Sequence, residues 1–119
     1  MKVIVNGILV PLEQSQCSTL GWLDGVGIFE TIKTVDGKPW ALSRHMRRAV
    51  NSSAKENIAL PSEEVVRESI ATLLQAETHP TGLLRVSFGA TGNWAAVHLP
   101  YTENSSPANV GSHPNAFVI

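Results

Sequence analysis

The sequence predicts an α+β domain with an antiparallel sheet, because strands come first, two helices follow and two further strands come last. Three observations predict this order. The turns Asn6-Gly7 and Asp36-Gly37 each join runs rich in β-branched and aromatic residues, which is typical of β-hairpins. Helical periodicity begins after the second turn and continues to about residue 74. The runs TGLLRVSFG and NWAAVHLPY then read as strands on either side of a glycine-rich turn.

The composition is that of one globular domain. Hydrophobic residues make up 43 % of the 119 residues, charged residues make up 16 %, and the net charge is −1. A dedicated nucleic-acid binder usually has a strong basic excess, and no run approaches the roughly 20 apolar residues that span a bilayer. We therefore expect neither a nucleic-acid nor a membrane partner. Cys17 is alone and favours a reducing, cytoplasmic location.

The longest predicted strand, GIFETIKTV, mixes apolar and polar residues on both faces. Alternation of side chains divides it into two sets. One face carries Ile28, Glu30, Ile32 and Thr34, and the other carries Phe29, Thr31, Lys33 and Val35. Neither set has the composition of a plain solvent-exposed face.

The first helix is predicted to begin at Ser43, as its N-cap, and to end at about Asn57. Helical spacing predicts a buried stripe of Met46, Ala49, Val50 and Ala54. The second helix follows Ser62, a predicted N-cap, and two glutamates suit its positive N-terminal end. Its predicted buried stripe is Val66, Ile70, Leu73 and Leu74.

The domain is expected to cover residues 1–101. Residues 102–119 are polar and rich in Pro, Ser and Asn before a last apolar run, AFVI. We interpret this segment as a linker followed by the start of a further, missing domain.

A basic cluster of Arg44, His45, Arg47 and Arg48 marks the start of the first helix. Guanidinium groups match phosphate oxygens well, which makes phosphate binding one reading. A solvated basic helix face is the other reading, and the residues alone do not separate the two. His45 is expected to make a structural hydrogen bond.

Glu30 and Arg85 are charges inside apolar strands. Glu30 is either a catalytic or structural carboxylate or an edge-strand charge. A buried Arg85 would need a carboxylate partner, which could belong to a substrate or to the protein. The remaining histidines, His79, His98 and His113, lack metal-ligand spacing, so no metal site is expected.

The order of VNG, DGVGIFETIKTVDGKPWAL and HMRRAVNSSA resembles the N-terminal half of the fold-type IV pyridoxal-phosphate enzymes, the class IV aminotransferase family. The resemblance covers residues 3–60 firmly and 61–100 loosely. It implies the small N-terminal domain of these enzymes and pyridoxal 5′-phosphate as the cofactor of the full-length enzyme.

The resemblance also implies roles for individual residues. Arg48 matches the arginine that holds the cofactor phosphate. Phe29 matches an aromatic residue of the substrate pocket, Glu30 matches the acid beside it, and Arg85 resembles a basic residue near the substrate side in some members.

Several family features are absent. The usual Gly-Asp-Gly is Gly25-Val26-Gly27, and the turn FGATGN lacks an arginine that binds carboxylates in some aminotransferases. Pyridoxal-phosphate chemistry also needs a lysine that binds the cofactor and moves protons. The lysines end at Lys55, so the family lysine is expected in a second domain and this chain is expected to be inactive alone.

Within the family, VDGKPWALSRHMRR and GLLRVSFGATG are most similar to the aminodeoxychorismate lyase-like members. That implies elimination of pyruvate from 4-amino-4-deoxychorismate to give 4-aminobenzoate, in a homodimer. An aminotransferase for branched-chain or D-amino acids is the alternative within the family. From another class, a stand-alone module that binds a phosphorylated ligand or RNA remains an alternative.

Overall fold

The computed structural model describes residues 1–15 and 27–101. The predictions for Cys17, for Gly25 and Val26, and for residues 102–119 lie outside the described residues. Within the described part, six strands form one antiparallel sheet and two helices complete the domain, as the sequence predicts. The strands are β1 (Lys2–Val5), β2 (Ile8–Pro11), β3 (Gly27–Val35), β4 (Lys38–Pro39), β5 (Thr81–Gly89) and β6 (Trp94–Pro100), and the helices are α1 (Leu42–Glu56) and α2 (Glu63–Ala76).

The sheet has the strand order β2-β1-β6-β5-β3-β4, and all its paired strands are antiparallel. Both predicted hairpin turns are present. Asn6 and Gly7 have φ of 52° and 87°, and Asp36 and Gly37 have φ of 50° and 77°. These positive values match the two-residue turns that Asn-Gly and Asp-Gly favour, because such turns follow the right-handed twist of the strands.

Strand β3 lies between β4 and β5, and its full length pairs with β5. Its alternation is as predicted, since Ile28, Glu30, Ile32 and Thr34 are all buried. Helix α1 packs on β3, and α2 packs on β1, β2 and β6, so the two helices cover this face of the sheet and the core lies between. The core includes, from the sheet, Ile4, Ile28, Ile32, Leu84, Val86, Phe88, Trp94 and Ala96, and from the helices, Met46, Ala49, Val66, Ile70, Leu73 and Leu74.

The prediction for the start of α1 is wrong. The helix begins at Leu42, and its N-cap is Ala41 in a left-handed conformation (φ 53°, ψ 38°). Trp40 still donates its backbone N–H to Lys33 O (2.8 Å), so the chain turns sharply from the sheet into the helix. Ser43 does not cap the helix; its Oγ accepts a hydrogen bond from Arg67 Nη2 (3.0 Å), which ties α1 to α2.

The predicted buried stripe of α1 is half right. Met46 and Ala49 are buried, whereas Val50 is 50 % exposed and Ala54 is exposed. The helix is rotated so that the partly buried Leu42 lies in line with Met46 and Ala49 and packs against the core. The predictions for α2 are confirmed: its stripe is buried, and Ser62 Oγ accepts from the Val65 N–H (3.2 Å).

Neither of these helices is long and apolar enough to cross a membrane, in the part of the chain that the structure describes.

Candidate functional site

Glu30 is a buried acid at the middle of β3. Its exposed fraction is 2 %, and its side chain lies on the sheet face that the helices cover. Alternation along the strand fixes this orientation, because Ile28 and Ile32 on either side belong to the core. Removing a carboxylate from water costs several kcal/mol unless partners compensate for it, so its neighbours matter.

Those neighbours come from α1. His45 Nδ1 lies 2.6 Å from Glu30 Oε1, and Arg48 Nη1 lies 3.8 Å from the same oxygen. His45 and Arg48 are three residues apart, so both project from one side of the helix. A carboxylate oxygen accepts, so His45 Nδ1 carries the hydrogen. We call these three residues the Glu30 cluster; the expected structural hydrogen bond of His45 is confirmed.

The four residues of the basic cluster lie on different sides of α1. Arg44 and Arg47 are exposed, whereas the Arg48 side chain is 32 % exposed and reaches the buried acid. At 3.8 Å its contact with Glu30 is an ion pair and longer than a hydrogen bond. The guanidinium therefore lies at the edge of the protein interior, and its contact with Glu30 does not occupy a hydrogen-bond donor.

Phe29 and Arg85 lie on the opposite face of the sheet. In the register of β3 and β5, Thr31 pairs with Arg85 and Phe29 pairs with Ser87. Phe29 and Arg85 are thus diagonal neighbours on one face, within reach of long side chains. The structure brings Glu30 together with Arg48, and Phe29 together with Arg85, but the sheet separates the two pairs.

A second polar cluster lies on the helix-covered face, and sequence reasoning missed it. His98 is fully buried; its Nε2 lies 2.6 Å from Thr34 Oγ1 and its Nδ1 lies 2.7 Å from Glu77 O. A carbonyl only accepts, so Nδ1 carries the hydrogen and the neutral Nε2 accepts from the Thr34 hydroxyl. We call these three residues the His98 cluster. The sequence pattern that could have revealed this cluster is the alternation of side chains in β6, which puts His98 on the same face as Trp94 and Ala96.

Burial lowers the pKa of His98 below its ordinary value of 6.5, and the nearby His79 lowers it further, although the hydrogen bond to Glu77 O acts in the opposite direction. The His79 ring lies edge-on to it at 4.8 Å between centroids. His98 thus belongs to the interior as a neutral group.

An open groove of about 760 Å³ lies beyond the end of β3. Its lining includes Asp36, Gln75, Thr78 and His79, and none of the predicted site residues. Asp36 is six residues beyond Glu30, which is roughly 20 Å along an extended chain. Among the described residues, no group of three or more His, Cys, Asp or Glu side chains is arranged to hold a metal ion.

Comparison with models of protein families identifies the family of this chain. The model of the amino-transferase class IV family matches residues 27–116, and the chain therefore belongs to the class IV aminotransferases. Pyridoxal 5′-phosphate is the cofactor of this family. The resemblance inferred from the motifs is confirmed.

Curated relatives are longer than this chain. D-alanine aminotransferase from Listeria monocytogenes serotype 1/2a (strain 10403S) is 32 % identical over 85 residues, which are 69 % of this chain and 29 % of that protein. The chain thus spans less than a third of the length of the curated relatives that it matches.

Solved structures show the same fold. The branched-chain aminotransferase of the archaeon Thermoproteus uzoniensis, solved with norvaline, superposes with a TM-score of 0.66 at 20 % identity, over 86 % of this chain and 41 % of that chain. Escherichia coli branched-chain aminotransferase gives 0.69 at 16 % identity, over 84 % and 41 %. A provisionally assigned 4-amino-4-deoxychorismate lyase gives 0.60 at 25 % identity, over 66 % and 32 %. The predicted fold, the N-terminal domain of fold-type IV enzymes, is confirmed.

The donor set of the Glu30 cluster is compatible with the family cofactor. A phosphate group needs positive hydrogen-bond donors that are not already consumed. Arg48 is suited to supply them, because its 3.8 Å contact with the buried acid is longer than a hydrogen bond and 32 % of its side chain is exposed.

Proposed function

We propose that this chain is the part of a pyridoxal-phosphate enzyme that binds the cofactor phosphate through Arg48. The observation that carries the proposal is the geometry of that arginine: it reaches from α1 to within 3.8 Å of a buried carboxylate, and 32 % of its side chain remains exposed. When bound, pyridoxal phosphate supplies an electron sink for carbanion chemistry. The role of Arg48 is to hold the phosphate end and so fix the position of the ring.

We propose that Phe29 and Arg85 line the substrate pocket beside the ring end of the cofactor, away from the phosphate end that Arg48 holds. They lie diagonally on the opposite face of the sheet, so this face offers one half-buried aromatic surface and one cation. A cation of this kind suits the carboxylate groups that substrates of this family carry. Glu30 lies on the other face, and its contacts associate it with Arg48.

The reaction we propose for the complete enzyme is the elimination of pyruvate from 4-amino-4-deoxychorismate, which gives 4-aminobenzoate for folate synthesis. Two features support it. The similarity to a provisionally assigned lyase of this type reaches 25 % identity. The turn between β5 and β6, residues 90–93, carries no arginine, whereas the resemblance associates an arginine there with some aminotransferases.

D-amino acid transamination is a second candidate for the same fold and cofactor. The observation that favours it is the 32 % identity to a D-alanine aminotransferase over 85 residues. Branched-chain transamination has the support of the fold likeness alone. In each case we expect the cofactor-binding lysine to lie outside this chain, whose lysines are Lys2, Lys33, Lys38 and Lys55, and we expect a homodimer.

The test uses the protein expressed from its complete reading frame, here called the complete protein. Incubation with pyridoxal phosphate is expected to give a cofactor absorption band, and incubation with 4-amino-4-deoxychorismate is expected to release pyruvate and 4-aminobenzoate together. Amino transfer from D-alanine to a keto acid, without release of 4-aminobenzoate, would support the second candidate. The absence of any cofactor band would contradict the proposal as a whole.

The salt dependence of RNA binding tests the alternative that the protein is a binding module for a phosphorylated ligand or RNA. RNA binding through several phosphates weakens steeply with added salt. Retention of RNA at low salt by the complete protein, with no cofactor band, would favour that class.

A further inference from the structure

Glu30 contacts two residues of one helix with one oxygen atom only. His45 Nδ1 and Arg48 Nη1 both approach Oε1, at 2.6 Å and 3.8 Å. The other oxygen, Oε2, is buried and has no hydrogen-bond partner among the described residues. An acid in such a place is costly to the fold, and its arrangement needs an explanation beyond packing.

We propose that Glu30 and His45 are positioning residues, which hold the Arg48 guanidinium ready for the cofactor phosphate. The inference rests on the proposed function and deepens it. Glu30 supplies a fixed negative charge that draws the guanidinium inward to one place. His45 occupies the hydrogen-bonding position at Oε1 and so keeps Arg48 at ion-pair distance.

The distances from Glu30 Oε1 to His45 and to Arg48 support these separate roles. A free carboxylate and guanidinium normally form two parallel hydrogen bonds of about 2.7–2.9 Å. Here the hydrogen bond to Oε1 belongs to His45, and the Arg48 nitrogen is about 1 Å further away than such a bond allows. Arg48 is therefore oriented by Glu30 without spending its donors on it. An arginine paired fully with Glu30 would have fewer donors left for a phosphate.

The exposed fractions of the three side chains increase from Glu30 through His45 to Arg48, which agrees with these roles. The exposed fraction is 2 % for the Glu30 side chain, 18 % for His45 and 32 % for Arg48. The charge that orients lies inside, and the group that binds lies at the surface. Neither Glu30 nor His45 needs to touch the cofactor.

The experiment compares affinities of the complete protein for pyridoxal phosphate and for pyridoxal, which lacks the phosphate. Both are measured by titration of the cofactor-free protein, followed by its intrinsic fluorescence. Glu30→Gln is expected to weaken the binding of pyridoxal phosphate by about tenfold, comparable with the loss of residues that orient metal ligands, and to leave the affinity for pyridoxal within twofold. His45→Phe, which keeps a ring but removes the donor, is expected to act in the same direction.

A double-mutant cycle separates positioning from a general structural effect. If Glu30 acts through Arg48, then Glu30→Gln has no further effect on pyridoxal phosphate once Arg48→Ala is present. The matched control is Glu63→Gln, which removes an acid from an exposed pair with Arg67 (2.8 Å) on α2 and is expected to change neither affinity.

Three results would overturn the inference: equal weakening of pyridoxal and pyridoxal phosphate, additive effects of Glu30→Gln and Arg48→Ala, or tighter phosphate binding in Glu30→Gln. The last would mean that repulsion between the carboxylate and the phosphate outweighs positioning. In all three the wild-type protein still binds pyridoxal phosphate, so the proposed function stands. Failure of the wild-type protein to bind pyridoxal phosphate would instead contradict the proposed function.

Discussion

The two polar clusters on the helix-covered face of the sheet differ in how completely their groups are paired. In the His98 cluster both ring nitrogens have partners, at 2.6 Å and 2.7 Å, and the ring is fully buried. In the Glu30 cluster one carboxylate oxygen lacks a hydrogen-bond partner among the described residues, and the arginine is a third exposed.

The difference indicates separate purposes for the two clusters. A closed network of hydrogen bonds rigidifies the fold and gains nothing from a ligand. The His98 cluster joins β3, β6 and the end of α2 in this way. The Glu30 cluster includes an arginine that is a third exposed and whose contact with Glu30 is longer than a hydrogen bond, which suits the binding of an anion. Variants of the first are therefore expected to change stability, and variants of the second to change cofactor affinity.

The largest effect on stability is expected for Gly82→Ala. A methyl group at Gly82 would collide with His98 Nε2 and lie 2.8 Å from Thr34 Oγ1 and 2.9 Å from Leu99 O. We expect a loss of about 3 kcal/mol in the free energy of unfolding, because the cluster must separate to accommodate it. Urea unfolding of the complete protein measures this loss.

The control for that variant is Gly37→Asn. Gly37 has φ of 77°, which asparagine tolerates better than most residues, and no non-adjacent residue that the structure describes has an atom within 4 Å of the added carbon. Its cost is expected to stay below about 1 kcal/mol. A loss of similar size at both glycines would break the link between Gly82 and the His98 cluster.

A change of pH is expected to have a smaller effect on the free energy of unfolding than Gly82→Ala. Because burial lowers the pKa of His98 in the folded protein, the unfolded chain binds a proton first as the pH falls below about 6.5. This contribution to stability is present above that pH and is lost on acidification, by at most about 1.4 kcal/mol per pH unit. His98→Gln should flatten the unfolding free energy between pH 7 and pH 5 relative to wild type.

His79 and Glu77 are also neighbours of His98 and influence its pKa. The same pH series in His79→Gln measures the contribution of His79. Retention of the wild-type slope in His98→Gln would show that another group carries the pH dependence.

The smallest effect on cofactor binding is expected for Phe29→Ala. Phe29 lies on the opposite side of the sheet from Arg48 and the rest of the Glu30 cluster. The dissociation constant for pyridoxal phosphate should stay within about twofold, whereas kcat/KM should change by roughly tenfold or more for the preferred substrate. Loss of the cofactor band in this variant would contradict the separation of the two faces.

Local chemistry made much of the fold predictable. The Asn6-Gly7 and Asp36-Gly37 turns, the Ser62 cap and the alternation of β3 each depend on neighbours in sequence, and all are present. The predicted start of α1 was wrong, and its predicted buried stripe was half right. The helix begins after Ala41, which adopts a left-handed conformation that no local rule indicates for alanine.

The candidate site was predictable only in part. The sequence grouped His45 and Arg48 in one basic cluster without separating them from Arg44 and Arg47, because the contact of these two residues with Glu30 depends on how α1 lies over β3. The closure of Thr34 on His98 spans 64 residues and depends on the sheet order. Such contacts arise from tertiary packing, and short-range periodicity does not contain them.

The most direct test of the central claim is the dissociation constant of pyridoxal phosphate for Arg48→Ala and Arg44→Ala in the complete protein. Both variants remove one arginine from the same helix, but the Arg48 side chain alone of the two contacts Glu30 in the structure. Arg48→Ala is expected to raise the constant by roughly 100-fold, since charge-assisted hydrogen bonds are lost, and Arg44→Ala should leave it within twofold. Equal constants for the two variants would contradict the assignment of Arg48 as the phosphate anchor.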